Sequence, residues 1–316
     1  MKTQWRDERI LVTGDTGLVG SNLVARLKGM GLDVISCSRH SKSCQCDLRD
    51  GALVRKLFNT VAPGAVFHLA AKVGGIYANM HQKADFYLEN TLINTNVMRE
   101  AQEREIPFVF AMGTGCAYPK RLEGQTLNEE DFLDGIPEVT NDAYAYSKRN
   151  LLVHLKACHE DSGLEYAYCI PANIYGPHDN FHPTGSHVVP GLIARFAKAK
   201  KMGLSEVAVW GNGGAQRDFL FVDDLIDAIV DISDNMTGSG PINVATRESV
   251  AISDLAAMIK EIVGYPGEIM MDENYPDGQS IRVFNTAKVA ELGWGAKTSL
   301  QAGLEKTIDW YIENTK

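Results

Sequence analysis

The chain has 316 residues, of which 45% are hydrophobic and 22% charged, enough for one large domain or two lobes with a substantial core. The formal net charge of −9 argues against a general nucleic-acid surface, because binding phosphate backbones needs a basic stripe. The charged N-terminus precedes only a short apolar run, not the roughly 20 apolar residues of a membrane span, so we expect a cytoplasmic protein without signal peptide or membrane segment.

The first predicted element is a strand, turn and helix around three glycines. The apolar run 9–12 precedes Gly14, Gly17 and Gly20, and the amphipathic segment 21–27 follows, which is the context of a dinucleotide-binding fingerprint. These glycines permit the turn, the approach of a pyrophosphate and close packing of helix on strand, although a purely structural glycine turn is the alternative. The helix N-terminus would attract the phosphates. The other predicted cofactor contacts here are Thr16, Leu18 and Val19.

The end of the second predicted strand, residues 33–37, indicates which nicotinamide cofactor fits. An acidic residue about 20 positions past the glycines would hold a ribose 2′-hydroxyl. Residues 36–42 contain no carboxylate and include Arg39, so a 2′-phosphate would meet positive charge. We therefore predict NADP, with a solvated basic loop as the alternative. Asp47 is placed to meet the adenine, with Leu48 beside it.

The six cysteines are too sparse in a chain of this size to suggest a disulfide scaffold, so reduced thiols are expected. Cys37, His40, Cys44 and Cys46 lie close together in the sequence and raise the alternative of a zinc site. Two Cys-x₂-Cys arms are absent, however, and the segment falls where a cofactor-binding loop is expected. We predict no metal.

Two further predicted strands end in loops that should border the same crevice. The third, residues 65–69, is followed by Ala70 and Ala71, small residues that let a loop lie close to a cofactor. The fourth, residues 108–111, ends in the loop 113–119. Because ligands of open α/β sheets bind beyond the carboxyl ends of the strands, we expect the second loop to face the same crevice as the glycine turn.

A tyrosine and a lysine lie near the start of the next predicted helix. Tyr144 and Lys148 are four residues apart and therefore share one helix face. Taken alone, this spacing usually describes a packed ring beside a solvated amine. Its coincidence with the glycine turn and with Thr114 favours a functional pair.

The alternation of strands and helices predicts an α/β fold with a Rossmann-type doubly wound parallel sheet in residues 1–172. Residues 171–183 are rich in Pro, Gly, Asn and His and mark the change to a smaller α/β substrate-binding lobe in 173–316. Residues from about 217 to 246 are expected to return to the first domain. The elements predicted in this second part are strands at 207–210 and 217–220 and helices at 222–233, 253–263 and 299–314.

In combination these segments resemble the extended short-chain dehydrogenase/reductase family over nearly the whole chain. The block from Tyr175 to His187 is the most specific part of the likeness. The other segments that carry it are 71–76, 116–120, 209–211, 222–224 and 276–278.

The resemblance implies NADPH as the cofactor and a GDP-linked 4-keto sugar as the substrate. The implied activity is bifunctional: epimerisation at C3 and C5 of GDP-4-keto-6-deoxy-mannose, then reduction at C4. Two alternatives stay open, namely the same chemistry on a GDP-linked deoxy-heptose or dideoxy-hexose, and a 4-keto reductase without epimerase activity. The resemblance also implies a homodimer paired through the predicted helices at 83–103 and 144–160.

The residues also support this chemistry on their own terms. The hydroxyls of Thr114 and Tyr144 can bond a ketone oxygen, while Lys148 can lower the pKa of the tyrosine and hold the nicotinamide ribose. Removing a proton next to the ketone needs a base on one side of the sugar and an acid on the other. The resemblance makes Cys116 the base and His187 the acid; taken alone they could be a buried thiol and a loop imidazole.

The resemblance further assigns contacts with the sugar nucleotide. Guanidinium groups bind pyrophosphate in a forked geometry, and an indole can stack on a base. The predicted contacts are Arg195, Trp210, Arg217 and Asp277. As alternatives, Arg195 could be a solvated helix residue and Trp210 a core residue. The remaining predicted cofactor contacts are Pro171, Asn173, Ile174, Tyr144, Lys148 and His187.

Three positions depart from the family pattern. This chain has Thr114-Gly115-Cys116 where the family often shows Ser-Ser-Cys, and Asp15-Thr16 where a basic residue is common. Arg282 stands where a lysine commonly follows the Pro-Asp-Gly segment. These departures leave the predicted chemistry intact and put the identity of the sugar in doubt.

Overall fold

The computed structural model describes residues 4–182, 185–275 and 280–315. The strands are β1 (Ile10–Thr13), β2 (Val34–Ser38), β3 (Cys44–Gln45), β4 (Ala65–His68), β5 (Phe108–Met112), β6 (Thr126–Leu127), β7 (Glu165–Pro171), β8 (Asn173–Tyr175), β9 (Glu206–Trp210), β10 (Gln216–Phe221), β11 (Pro241–Val244), β12 (Ser249–Ala251), β13 (Glu268–Asp272) and β14 (Val283–Phe284). The helices are α1 (Leu18–Gly29), α2 (Gly51–Val61), α3 (Ile76–His81), α4 (Lys83–Glu103), α5 (Asp142–Ser162), α6 (Val188–Met202), α7 (Val222–Asn235), α8 (Ile252–Val263), α9 (Ala287–Ala290) and α10 (Leu300–Asn314).

The centre of the molecule is a seven-stranded parallel sheet in the order β11-β7-β5-β4-β1-β2-β3. All residues of β1, β4 and β5 are buried, as expected for strands covered on both faces. Helix α1 packs on α7, whereas α4 packs on α2 and α5. The predicted α/β, Rossmann-type doubly wound sheet is confirmed.

The order of this sheet determines where a ligand can bind. The chain runs outward from β1 to β2 and β3, then crosses back to β4 and continues through β5 and β7 to β11. The change of direction opens a crevice between the loops that follow β1 and β4. Aromatic side chains pack against one another on β4 and β5. The ring centres of Phe67 and Phe110 are 5.5 Å apart, and those of Trp5 and Phe67 are 5.2 Å apart.

Smaller sheets lie beyond the central one. Strands β12, β10 and β8 form a three-stranded sheet, and β13 pairs with β9. Helix α6 packs on α8, which also contacts α10. After β10 the chain returns to the central sheet: α7 packs on α1, and β11 pairs with β7. The division into domains at residue 172 stays a prediction.

The element bounds agree with the predicted ones to within one or two residues at most ends. Helix α4 covers the predicted 83–103, and β9 and α8 each begin one residue before the predicted start. No helix within the described ranges combines the length and apolar character needed to cross a bilayer.

Candidate active site

A large cleft of about 720 Å³ opens at the carboxyl ends of the central strands. This volume lies in the range of ligand-binding pockets. Apart from Asp277, which lies outside the described residues, every residue predicted for cofactor, substrate or catalysis lines this cleft. The cofactor side and the substrate side are therefore parts of one space.

The glycine turn forms a cradle for a phosphate group. Gly14 has φ +81°, and a Cβ atom there would lie 2.9 Å from the backbone of Ala70, while one on Gly20 would lie 2.1 Å from the Gly14 carbonyl oxygen. A Cβ on Gly17 would meet only the Gly14 oxygen, at 3.5 Å, so this position faces open space. No side chain caps the first turn of α1, leaving its N–H groups for an anion. The cradle fits a dinucleotide pyrophosphate.

Near the predicted adenosine end, the structure shows an ion-pair chain that the sequence reasoning missed. Asp47 accepts hydrogen bonds from Arg49 Nε at 2.9 Å and Nη2 at 2.6 Å, and these bonds hold the pKa of Asp47 below its usual range. Arg49 Nη1 donates to Glu89 at 2.8 Å, and Lys72 Nζ donates to the other Glu89 oxygen at 2.7 Å. Asp47 lines the cleft as predicted, but its oxygens already accept from Arg49.

A carboxylate lies beside β2 although residues 36–42, at the end of this strand, contain none. Asp15, in the glycine turn, accepts hydrogen bonds from Ser36 at 2.8 Å and from Ser41. Asp15 itself does not line the cleft, whereas Arg39 does and is exposed. The two serine hydroxyls therefore turn this carboxylate away from the space where a 2′-phosphate would meet Arg39.

A buried hydrogen-bond chain connects the glycine turn to α5. The Thr13 hydroxyl accepts from two backbone N–H groups after β4, at 3.1 Å each, and so donates to His68 Nδ1 at 2.9 Å. His68 Nε2 then donates to Asn94 at 3.0 Å, and Asn94 donates to the Ser147 carbonyl at 3.1 Å. Burial first, and then the charge of Lys148, lower the pKa of His68 to about 4. His68 is thus a neutral structural link.

Tyr144 and Lys148 lie on one face of α5 as predicted. Lys148 is buried, and its Nζ atom donates to the Met112 carbonyl at 3.0 Å and lies 5.8 Å from the centre of the Tyr144 ring. Burial lowers the pKa of Lys148 to about 8. The expectation that Lys148 lowers the pKa of Tyr144 is wrong: burial, and next the Cys116 sulfur, raise it.

The loop after β5 brings Cys116 against an arginine from a distant part of the chain. The Thr114 hydroxyl accepts from the Cys116 backbone N–H at 3.3 Å and caps the 3₁₀ turn Gly115–Ala117. Arg282 Nη1 donates to Cys116 Sγ at 3.2 Å. Burial acts to raise the pKa of Cys116, but Arg282, the Thr114 hydrogen bond and Arg217 together hold it below its ordinary value. Sequence reasoning noted Arg282 only as a departure.

His187 lies at the other predicted catalytic position, at the N-cap of α6. Its side chain is exposed to the cleft, and its pKa is lowered by burial between the walls of the cleft. Nearby, Asp179 lines the cleft with one oxygen accepting from the Asn180 N–H at 2.7 Å and the other without a partner. Burial raises the pKa of Asp179 to about 7. The sequence block that contains it was noted, but no role was predicted for it.

At the predicted substrate end, Arg195 and Trp210 lie together. The Arg195 guanidinium is 5.3 Å from the centre of the Trp210 ring and donates to the Ala208 carbonyl at 2.7 Å. The Tyr275 ring stacks on Trp210, with ring centres 4.4 Å apart and planes at 8°. Tyr275, which sequence reasoning missed, thus already covers part of the indole that a base was expected to use.

Comparison with known proteins gives four relevant similarities. The model of the "NAD dependent epimerase/dehydratase family" matches residues 10–245. The chain is 39% identical over 309 residues to "GDP-L-fucose synthase 1" of Arabidopsis thaliana, covering 98% of this chain and 94% of that protein.

Two solved structures superpose closely. A GDP-L-fucose synthetase from Naegleria fowleri bound to NADP has a TM-score of 0.88 at 30% identity and covers 98% of this chain and 94% of its own. A GDP-6-OMe-4-keto-L-xylo-heptose reductase from Campylobacter jejuni has a TM-score of 0.90 at 26% identity, with 99% of each chain covered.

Proposed function

The chain belongs to the NAD dependent epimerase/dehydratase family, and on this premise we propose that it is a bifunctional 3,5-epimerase and NADPH-dependent 4-reductase. It converts GDP-4-keto-6-deoxy-mannose to GDP-L-fucose. One observation carries this proposal. The same cleft is lined by the reductive pair Tyr144 and Lys148 and by the thiol of Cys116, which accepts a hydrogen bond from Arg282. A reductase alone has no use for that thiol.

Epimerisation needs a polarised ketone and two proton carriers. The hydroxyls of Thr114 and Tyr144 bond the C4 oxygen and stabilise the negative charge that develops there when a neighbouring C–H loses its proton. The Cys116 thiolate takes that proton, and His187 returns one to the opposite face of the sugar. The pKa of Cys116, which its surroundings hold below its ordinary value, supports the first role, and the exposure of His187 to the cleft supports the second.

Reduction uses the same oxygen. NADPH supplies a hydride to C4 when it is bound. Tyr144 delivers the proton to the oxygen, and Lys148, still mainly cationic at neutral pH, has N–H groups beyond the one given to Met112 for the nicotinamide ribose. Because both steps stabilise charge on one oxygen, the sugar does not need to leave between them.

The cofactor contacts surround the cradle of the glycine turn. The N-terminus of α1 would hold the cofactor pyrophosphate, and Arg39 would bind the 2′-phosphate. On the opposite side Arg195 and Arg217 hold the pyrophosphate of the sugar nucleotide, with Trp210 near its base. Asp277 is proposed as a further substrate contact. The match to an NADP-bound relative supports the choice of cofactor.

A homodimer in the cytoplasm is part of the proposal. Helices α4 and α5 pack together and carry exposed apolar side chains, among them Leu88, Leu92 and Val153, which pairing would cover. The six cysteines are all free, which suits a reducing compartment. A monomeric mass in solution would contradict the dimer.

The experiment compares sugars in the presence of NADPH. Separate reactions contain GDP-4-keto-6-deoxy-mannose, a GDP-linked 4-keto deoxy-heptose, a GDP-linked 4-keto dideoxy-hexose and a dTDP-linked 4-keto sugar. We expect the fastest NADPH oxidation with the first and GDP-L-fucose as its product by NMR. Faster turnover of the heptose, or a product reduced at C4 with C3 and C5 unchanged, would contradict the proposal.

A further inference from the structure

We propose that Arg282 is a positioning residue for epimerisation, whose guanidinium holds Cys116 as a thiolate directed into the cleft. The inference rests on the proposed function in that Cys116 is taken as the base. It adds the reason why this thiol, and not another in the chain, can act as one.

The contact itself is the first support. Arg282 Nη1 lies 3.2 Å from Cys116 Sγ, within hydrogen-bond reach of sulfur. A guanidinium stays charged at every working pH and can only donate, so its interaction with sulfur favours the thiolate over the thiol. Once the thiolate has taken a proton from the sugar, the contact weakens, which favours the return of the proton to solvent and the next cycle.

Among the groups around Cys116, Arg282 has the largest effect that favours the thiolate, and the other contributions are smaller. Arg217 of β10 contributes a second, weaker positive charge, and Thr114 adds a hydrogen bond. Tyr144 of α5 stays neutral because burial and the sulfur raise its pKa. Lys148 and His187 line other parts of the same cleft. The remaining buried cysteines show the contrast, since burial raises the pKa of Cys37 and Cys169.

The backbone on both sides of Arg282 is attached to the segment 123–127. On one side, Glu123 accepts hydrogen bonds from the N–H of Ser280 at 2.6 Å and from its hydroxyl at 3.1 Å. On the other, β14 pairs with β6, and the Asn285 N–H donates to the Leu127 carbonyl at 3.0 Å. These attachments hold the backbone that carries Arg282 beside the loop that carries Cys116, as a positioning role requires.

The test measures the ionisation of the thiol directly. The rate of Cys116 alkylation by iodoacetamide is followed against pH by peptide mass spectrometry for the wild type, Arg282→Met and Arg282→Lys. Arg247→Met, which changes an exposed arginine outside the cleft, is the matched control. NADPH binding and circular dichroism establish that each variant is folded.

We expect the alkylation midpoint of Arg282→Met to rise by about one pH unit or more, which corresponds to about a tenfold decrease in the ionisation constant of the thiol. Arg282→Lys should retain part of the effect, and Arg247→Met should match the wild type. Deuterium exchange at C3 and C5 should fall in parallel in Arg282→Met and recover as the pH is raised. An unchanged midpoint in Arg282→Met would overturn the proposal.

The alkylation assay also separates this inference from the proposed function. It needs no sugar, so it reports on Arg282 even if the wild type fails to turn over GDP-4-keto-6-deoxy-mannose. A shifted midpoint with no epimerisation by the wild type would leave the Arg282–Cys116 coupling standing and refute the function. A shifted midpoint with exchange unaffected at every pH would show that the thiolate is not the base and overturn the positioning role.

Discussion

The ring of Phe284 lies directly against Gly115, so that a Cβ atom on Gly115 would be 2.6 Å from Phe284 Cζ. Gly115 is the residue before Cys116, and Phe284 lies two residues after Arg282. The missing side chain lets the segment that carries Arg282 approach the loop that carries Cys116. The glycine in Thr114-Gly115-Cys116, a departure from the Ser-Ser-Cys of the family, therefore has a steric reason in this chain.

The first prediction follows from this packing. Gly115→Ser places atoms inside the contact distance of a buried ring, and overpacking of this kind typically costs about 1–3 kcal/mol of unfolding free energy. Arg282 should move with Phe284, so deuterium exchange at C3 and C5 should also fall. Urea denaturation and NMR measure the two effects.

The matched rescue is the double variant Gly115→Ser with Phe284→Leu. The smaller side chain makes room for the serine, so the stability losses of the two single variants should not add. Purely additive losses would show that Phe284 is not what excludes a side chain at position 115.

The second prediction concerns the reductive proton. Tyr144→Phe removes the hydroxyl that delivers it, and the rate of C4 reduction should fall by about 10²–10⁴-fold, the usual scale for a positioned proton donor. Single-turnover NADPH oxidation measures this rate. Tyr146→Phe, an exposed tyrosine on the same helix, should behave as the wild type. Unchanged hydride transfer in Tyr144→Phe would refute the assignment.

The third prediction concerns cofactor choice. Arg39→Ala should weaken the binding of NADPH by roughly 10–100-fold, the range expected for hydrogen bonds to a charged group, and should leave the binding of NADH nearly unaffected. Lys42→Ala removes an exposed cation of the same loop that does not line the cleft and should have little effect. Steady-state kinetics with both cofactors measure the preference. Equal efficiency of the wild type with NADPH and NADH would contradict the role of Arg39.

The fourth prediction concerns stability against pH. Burial lowers the pKa of Lys148 from 10.5 to about 8. Between these values the unfolded chain binds a proton that the folded chain has lost, so this group stabilises the fold progressively as the pH rises from 8 toward 10.5. Relative to Lys148→Met, which lacks the titration, the wild type should gain up to roughly 3 kcal/mol across this window.

Urea denaturation of both proteins at pH 7 and pH 10 measures this difference. Comparing the two proteins at each pH cancels the titration of the other groups. A free-energy difference that stays constant between the two pH values would show that Lys148 is not a strained buried cation.

The features predictable from the sequence were those encoded locally. The glycine turn, α4 and the Tyr144–Lys148 spacing depend on periodicity or on residues within one turn, and the structure places them as predicted. The grouping of loops in one cleft followed from the rule that ligands bind at the carboxyl ends of parallel strands.

The features that escaped prediction depend on contacts between distant parts of the chain. Arg282 and Cys116 are 166 residues apart, and no local pattern places one against the other. Asp15 reaches β2 from the glycine turn, so reading only the end of that strand missed it. The direction of the Tyr144 pKa shift also escaped prediction. The sequence shows the nearby charge of Lys148, but it does not show the cost of burying the phenolate, which raises the pKa.

The central claim is that one cleft performs epimerisation and reduction with separate proton carriers. The most direct test is NMR detection of deuterium at C3 and C5 of the product when the wild type and Cys116→Ser act on GDP-4-keto-6-deoxy-mannose and NADPH in D₂O. The wild type should incorporate deuterium at both positions. Cys116→Ser should oxidise NADPH slowly to a sugar reduced at C4 that carries no deuterium at C3 or C5, because serine is a far weaker acid than the thiol it replaces. Exchange at the wild-type level in Cys116→Ser would contradict the account.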